Sequence, residues 1–349
     1  MFEFTPTPRV KRSPFYKATV RDGVKSFYPY NNMFLPTGYG NPEKEYWRLI
    51  NGVSMWDVGV QRQVELSGQD ASILAQILSP RDLTKLSIGQ SKYIAMCDHR
   101  GVIINDPILS MLDKKKYWFS IADSKVLFWA RAIAAERNLN VDITEPDVSP
   151  MAIQGPKSVN VISSLFGDWV KDLKYFYFKE TSLNGIPLLL VKSGWSKQGG
   201  FELYLMDGSK GDELWEIVKE AGKPWDIGPG YPNTTERIES GLLSWGGDTD
   251  DKTNPYEVRL GKYIDLNVPD DVVGIKSLRK IHKEGPKRHQ LGIILEGNEQ
   301  FKSHGLWYDI LSNEKKVGDM TCGIWSKRME KNIGLCLVSV KIKSGDEVC

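Results

Sequence analysis

Histidine is scarce in this chain, with four among 349 residues: His99, His282, His289 and His304. None stands at HExxH or HxH spacing or flanks a serine or cysteine nucleophile motif, so a metal hydrolase or a triad enzyme has little to build with. Cysteine is equally sparse. Cys97, Cys322, Cys336 and Cys349 form no CxxC pair, a spread that reads as reduced thiols in a cytoplasmic protein rather than a disulfide framework or a zinc site. Long apolar runs are missing too: stretches such as residues 186–191 fall far short of the ~20 residues that cross a bilayer, and residues 1–12 mix charge with proline, unlike a signal peptide. Nor does one sign of charge dominate. Lys plus Arg number 46 against 44 for Asp plus Glu, and a net charge of +2 gives no basic field for nucleic acid. The glycines of SWGGDT at 244–249 match neither GxGxxG nor GKS/T, which argues against a nucleotide cradle.

What is present is ordinary globular material, 41% hydrophobic and 26% charged, in a chain long enough for two or three packed units. The 11 Trp, 14 Tyr and 12 Phe supply flat apolar surface that fills cores and also suits planar or cationic ligands.

Residues 1–46 carry many turn formers and few periodic runs, so they read as an extended arm over the body. RQVELSG at 62–68 alternates as a strand, and DASILAQIL at 70–78 has helical spacing behind Asp70 as N-cap. Residues 92–96, 102–111 and 117–121 alternate again, with polar turns between them. Helical spacing returns at 124–136, from Pro156 to residue 166, and at 210–221, with strands at 141–143, 151–154, 187–193 and 200–205. This order predicts an α+β fold with mixed and antiparallel sheets, residues 47–270 forming a body of two sub-domains. After about residue 272 short strands alternate with Gly, Asn and charged turns, which predicts a small β-barrel over 271–349.

Five segments carry a family resemblance: MAIQGPKS at 151–158, SGWSKQGGFELYL at 193–205, ERIESGLLSWGGDT at 236–249, GIKSL at 274–278 and VGDMTCGIWSKRMEKNIGLCLV at 317–338. In this order they resemble the glycine-cleavage T-proteins, the aminomethyltransferases, over nearly the whole chain. That resemblance implies a three-domain cloverleaf with tetrahydrofolate in a central channel. YNNMFLPT at 30–37, WDVGVQRQV at 56–64, RDLTKLSIG at 81–89 and NDPIL at 105–109 are most similar to the demethylases of dimethylsulfoniopropionate within that family. Asn105-Asp106 stands where aminomethyltransferases typically have paired aspartates, and Trp195 and Lys197-Gln198 where they usually have Tyr and Gly-Glu. The implied activity is methyl transfer from the sulfonium to tetrahydrofolate. The alternatives are an aminomethyltransferase, a demethylase of another S-, N- or O-methyl donor, and a folate-binding accessory protein without chemistry. The partners expected are the two small molecules, with no nucleic acid, membrane or metal, and a homodimer is compatible.

A carboxylate can accept two adjacent pterin donors at once, and Glu202 is the first choice for that role. Tyr204 shares its strand face, with core packing as the rival reading. The resemblance places Trp195 at a folate-channel aromatic and Trp169 at the cation-facing tryptophan. Phe176 is a second ring face, for which Tyr175 or Tyr177 can substitute. Arg237 either pairs with Glu239 or reaches folate. A sulfonium offers no N–H donor, so ring faces and carboxylates must hold its charge. Asp106 corresponds to the family's acid near folate N5, with a plain turn aspartate as the alternative. Tyr30, Tyr93 and Lys92 are candidates for the substrate's carboxylate.

Overall fold

The computed structural model describes residues 7–297, 299–301 and 305–349; residues 1–6 of the expected arm, and His304, lie outside these. Alternation organises the central strand, Gly200–Leu205. Phe201, Leu203 and Leu205 turn to one face, Glu202 and Tyr204 to the other. It lies third in a six-stranded mixed sheet ordered Phe178–Leu183, Ile186–Val191, Gly200–Leu205, Ser149–Gln154, Ser54–Asp57, Gly228–Gly230, with only the last pair parallel. Helices Tyr16–Arg21, Ser158–Phe166 and Gly211–Gly222 cover its first face, where Ala18, Val161, Ile162, Leu214 and Trp215 join Phe201, Leu203 and Leu205 in one buried cluster.

A five-stranded antiparallel sheet repeats the plan, ordered Asp142–Thr144, Gln63–Ser67, Lys116–Ser120, Ile108–Asp113, Gln90–Tyr93. Its Val64, Leu66 and Phe119 pack on Leu74 of helix Ala71–Ile77 and on Ala130 and Ile133 of helix Val126–Glu136. The opposite face of this sheet meets the uncovered face of the first. Trp118, Phe178, Leu189, Val191 and Tyr204 fill the layer between them, and that layer also receives Glu202.

The last unit is a four-stranded antiparallel sheet ordered Arg288–Leu295, Lys331–Ser339, Lys315–Ser326, Tyr308–Ser312. No ladder among the described residues joins its two outer strands; Leu311 instead exchanges two backbone hydrogen bonds with Cys349, 2.6 and 2.8 Å. The expected α+β architecture is present. No helix among the described residues is long and apolar enough to cross a membrane.

One local expectation needs correction and another gains detail. The arm is more ordered than its composition suggests. Asn31 and Asn32 adopt φ of 48° and 58°, which a two-residue hairpin turn between Ser26–Tyr30 and Met33–Gly38 requires and which asparagine tolerates. Asn31 Nδ2 then donates to Val60 O (3.0 Å) and Ala122 O (3.2 Å), while Phe15 and Ala18 are fully buried. Asp70 does occupy the N-cap position of its helix, but its carboxylate accepts from Asn140 N at 2.7 Å and so fastens the helix start to a neighbouring loop.

Candidate active site

Pro107 decides where Asp106 sits. Proline has no N–H to give a ladder, so the run 102–111 breaks in two. Ile103–Asn105 pairs with Met96–Cys97, whereas Ile108–Asp113 pairs with Gln90–Tyr93. The Asn105 amide bridges the gap, donating to Ala122 O (3.0 Å) and Ser124 Oγ (2.8 Å) and accepting from Ala122 N (3.1 Å). Asp106 is left at the changeover with its carboxyl turned to the Tyr93 hydroxyl, which donates at 2.8 Å. Burial pushes this carboxyl up to about 7, against the opposing pull of the Tyr93 bond. Burial and then the Asp106 charge raise the Tyr30 and Tyr93 phenols, so all three groups share one enclosed region.

Glu202 defines a second pole. Ser193 Oγ donates to its Oε2, and no other hydrogen bond to this carboxylate occurs among the described residues. Burial raises its pKa, with the Ser193 bond working the other way. Tyr204, next along the same face, is tied to Ser120 of the opposing sheet, and its phenol is raised by burial and then by Glu202. The loop that carries Ser193 and the half-buried Trp195 is pinned at both ends. Gln154 Nε2 donates to Ser193 O (3.1 Å), Ser196 Oγ donates to Gln154 Oε1 (2.8 Å), and Glu236 Oε1 accepts from Lys197 N (3.0 Å) and Gln198 Nε2 (2.9 Å). A Cβ on Gly194 would stand 2.1 Å from the Gln154 amide, so only glycine permits this approach.

Segment 175–178 joins the two poles. Phe176 has a left-handed φ of 62°, a strained conformation for a bulky residue, held by Phe176 N to Lys192 O (2.9 Å) and Ser91 N to Phe176 O (2.7 Å). These bonds fasten the six-stranded sheet to edge strand Gln90–Tyr93. The Tyr175 ring lies 4.5 Å from that of Phe176, and its phenol is pushed up to about 12 by burial, then by Glu202 and Tyr263. Tyr263 meets Tyr93 edge to face at 5.1 Å. Asp106 thus has Tyr30 and Tyr93 as neighbours, Glu202 has Tyr175 and Tyr204, and Tyr263 adjoins both Tyr93 and the half-exposed Tyr175. A surface cleft of about 530 Å³, walled in part by Arg100, Lys125, Trp129 and Trp245, is a different place and includes neither carboxylate.

The structure thus gathers Asp106, Tyr93 and Tyr30 at one pole and Glu202 and Tyr204 at the other, with Phe176 between and Trp195 on the Ser193 loop. Lys92 follows the strand alternation and points away from Tyr93, its Nζ donating to Asp82 O at 2.8 Å. Two expected residues lie elsewhere. Trp169 packs on the helix-covered side of the six-stranded sheet, across from Glu202, and Lys179 Nζ already stands 4.6 Å over its ring. The physical reason is that helix Ser158–Phe166 buries its apolar side there and delivers the following turn, Asp168–Lys171, to the same side. Arg237 is spent in a buried ion pair with Asp248 at 2.7 Å rather than on Glu239. Residues two apart on a helix do not face each other, and Glu239 instead pairs with Arg328 and accepts from Tyr46 and Ser326. Ser193, Ser120 and Tyr263 escaped sequence reasoning. Their contacts cross strands and sheets, and a lone serine or tyrosine carries no periodic signal of that.

The model of the GCVT N-terminal domain family matches residues 15–268. The chain is 37% identical to dimethylsulfoniopropionate demethylase DmdA of Ruegeria pomeroyi over 338 residues, covering 97% of this chain and 92% of that protein. It is 27% identical to an aminomethyltransferase of Caldanaerobacter subterraneus subsp. tengcongensis, covering 95% and 89%. The solved glycine cleavage system aminomethyltransferase T from Bartonella henselae superposes with a TM-score of 0.86 at 21% identity, covering 97% of this chain and 93% of that one.

Proposed function

The chain belongs to the GCVT N-terminal domain family, and from that premise we propose that it is a tetrahydrofolate-dependent methyltransferase that demethylates dimethylsulfoniopropionate, giving 5-methyltetrahydrofolate and methylmercaptopropionate. The bound folate supplies the nucleophile, its N5: a C–S bond breaks with the electron pair left on sulfur, an N–C bond forms, and a proton leaves the nitrogen.

Glu202 fits the pterin. A buried carboxylate with one hydroxyl partner has acceptor capacity left for an adjacent pair of N–H donors, and those donors draw it back to its ionised form. Asp106, held by Tyr93, orients N5 and takes its proton; a carboxyl poised near 7 is well matched to that exchange at neutral pH. Tyr30 and Tyr93 stay protonated, so they present ring faces and hydroxyls and no competing charge. Such faces are worth about 0.5–2 kcal/mol each to a cation, whereas alignment of nucleophile, methyl and sulfur supplies roughly 7–11 kcal/mol. Positioning therefore carries the catalysis. Phe176, Tyr204 and Trp195 border the folate. We place the reaction in the cytoplasm, in residues 47–270 closed off by 271–349, without nucleic acid or membrane, and light scattering tests the homodimer.

The observation that carries this reading is a pair of desolvated carboxylates, Asp106 and Glu202, each with one side-chain donor and acceptors left over, and each set among tyrosines. Incubation with tetrahydrofolate and dimethylsulfoniopropionate should yield both products. Turnover with an aminomethyl-lipoyl protein and none with the sulfonium would overturn it.

A further inference from the structure

Glu236 is 1% exposed, yet no cation stands in ion-pair contact with it among the described residues. A buried carboxylate without a counter-ion depends on donors, and here three converge on one oxygen. Oε1 accepts from Lys197 N (3.0 Å), Gln198 Nε2 (2.9 Å) and Ser240 Oγ (2.7 Å). Its own helix does not need this carboxylate. Helix Thr234–Glu239 starts on the Asn233 cap, whose Oδ1 accepts from Glu236 N at 3.0 Å. Its end is held where Glu239 pairs with Arg328 and accepts from Tyr46 and Ser326. With the helix fixed at both ends by other residues, Glu236 serves the segment that supplies two of its three donors.

That segment, residues 193–198, forms neither strand nor helix and lies in the connection between strands Ile186–Val191 and Gly200–Leu205. Gly194 and Gly199 flank most of it with φ of 152° and 79°, so the backbone alone does little to fix its path. Side chains fix it instead. Gln154, fully buried in strand Ser149–Gln154, holds Ser193 O and Ser196 Oγ from one side, and Glu236 holds Lys197 N and Gln198 Nε2 from the other. Ser193 Oγ then meets Glu202 Oε2, which leaves Glu202 Oε1 without a partner among the described residues. We propose that Glu236 is a positioning residue for Glu202: by anchoring the far end of this loop it keeps Ser193 on one carboxylate oxygen and leaves the other for the pterin donors. This rests on the folate reading above and adds to it the group that decides which oxygen is free.

The test compares Glu236→Leu, Glu236→Gln and Gln198→Ala with the unaltered protein in calorimetric affinity for tetrahydrofolate, kcat at saturating folate with dimethylsulfoniopropionate, and amide hydrogen exchange. Glu236→Leu should weaken folate binding about tenfold and hold kcat within about threefold, because the Asp106 pole does not depend on the loop. Exchange across 193–198 should speed up while the six-stranded sheet keeps its protection. Glu236→Gln keeps an acceptor at Oε1 and should recover most of the affinity. Gln198→Ala removes one donor, leaves the helix alone and should show the same split at about threefold, which covers a Glu236→Leu chain that fails to fold. In a Ser193→Ala background Glu236→Leu should add little, since the bond it protects is already gone. Unchanged affinity with a lowered Tm, a kcat loss as large as the affinity loss, or full additivity with Ser193→Ala overturns the proposal. An unaltered protein that takes up no tetrahydrofolate sinks the folate reading, whereas unchanged exchange across 193–198 in Glu236→Leu sinks the anchoring alone.

Discussion

Asp57 is buried and Asp106 partly buried, desolvation pushes them up to about 6 and about 7, and they differ in what their neighbours leave over. Asp57 is used up by the chain itself: Ser13 Oγ donates to Oδ2 at 2.5 Å and Gly59 N donates to Oδ1 at 3.1 Å, which clips the start of the arm to strand Ser54–Asp57. Asp106 receives one side-chain donor, the Tyr93 phenol, and has acceptors left over. A raised pKa marks burial in both. The unspent acceptor, not the pKa, separates a site from a clip.

The largest expected difference is in rate. Asp106→Asn should lower kcat about 10²–10³-fold in a folded protein, the usual worth of a positioned base, while Asp57→Asn stays within about threefold. In the unaltered protein kcat should rise with pH through about 7 as Asp106 ionises, and Asp57→Asn should leave that profile in place. Equal losses in the two variants would break the comparison.

Stability should separate them next. An acid whose folded pKa lies above its ordinary 3.8 binds more protons in the native state, so stability falls as pH rises from about 4 to its folded value. For Asp57 that window ends near 6, and ionisation costs about 3 kcal/mol at most. Asparagine can keep the Gly59 N bond at Oδ1 and, without the charge, turn the other round, its Nδ2 donating to the Ser13 hydroxyl. Asp57→Asn should therefore resemble the unaltered protein at pH 4 and be the more stable at pH 7, as read by urea unfolding at both values.

Glu202→Gln sharpens the comparison from the other pole. It retains one acceptor and adds a donor where the pterin already brings donors, so calorimetry should show folate affinity about 10–100-fold weaker. Trp169→Ala should have the smallest effect on ligands. The KM of the sulfonium should stay within about twofold, with any loss appearing in Tm, because this ring sits across the sheet with Lys179 over it.

Regular alternation made much of this fold legible in advance. Gly200–Leu205 has the predicted bounds, and its period of two puts Glu202 and Tyr204 on one face. Which candidate residues share a face was legible where that follows from their own strand. Trp169 and Arg237 were misplaced because their surroundings depend on which side a preceding helix buries and on a partner, Asp248, eleven residues away. The split at Pro107 was readable in principle, since a proline inside an alternating run argues against one continuous strand. The arm hid its hairpin in two asparagines whose positive φ leaves no trace in hydrophobic pattern.

The Arg237–Asp248 pair has a consequence for how the chain matures. Asp248 also accepts from Thr321 Oγ1 at 2.8 Å, and Ile238 packs against Ile333 and Leu335, so the far end of the molecule supplies both a proton donor and an apolar cover for a helix made some eighty residues earlier. During vectorial synthesis, helix Thr234–Glu239 leaves the ribosome before either exists. The nascent body must wait with a wet, half-dressed seam, and its final consolidation is timed by the arrival of Lys315–Ser326 and Lys331–Ser339.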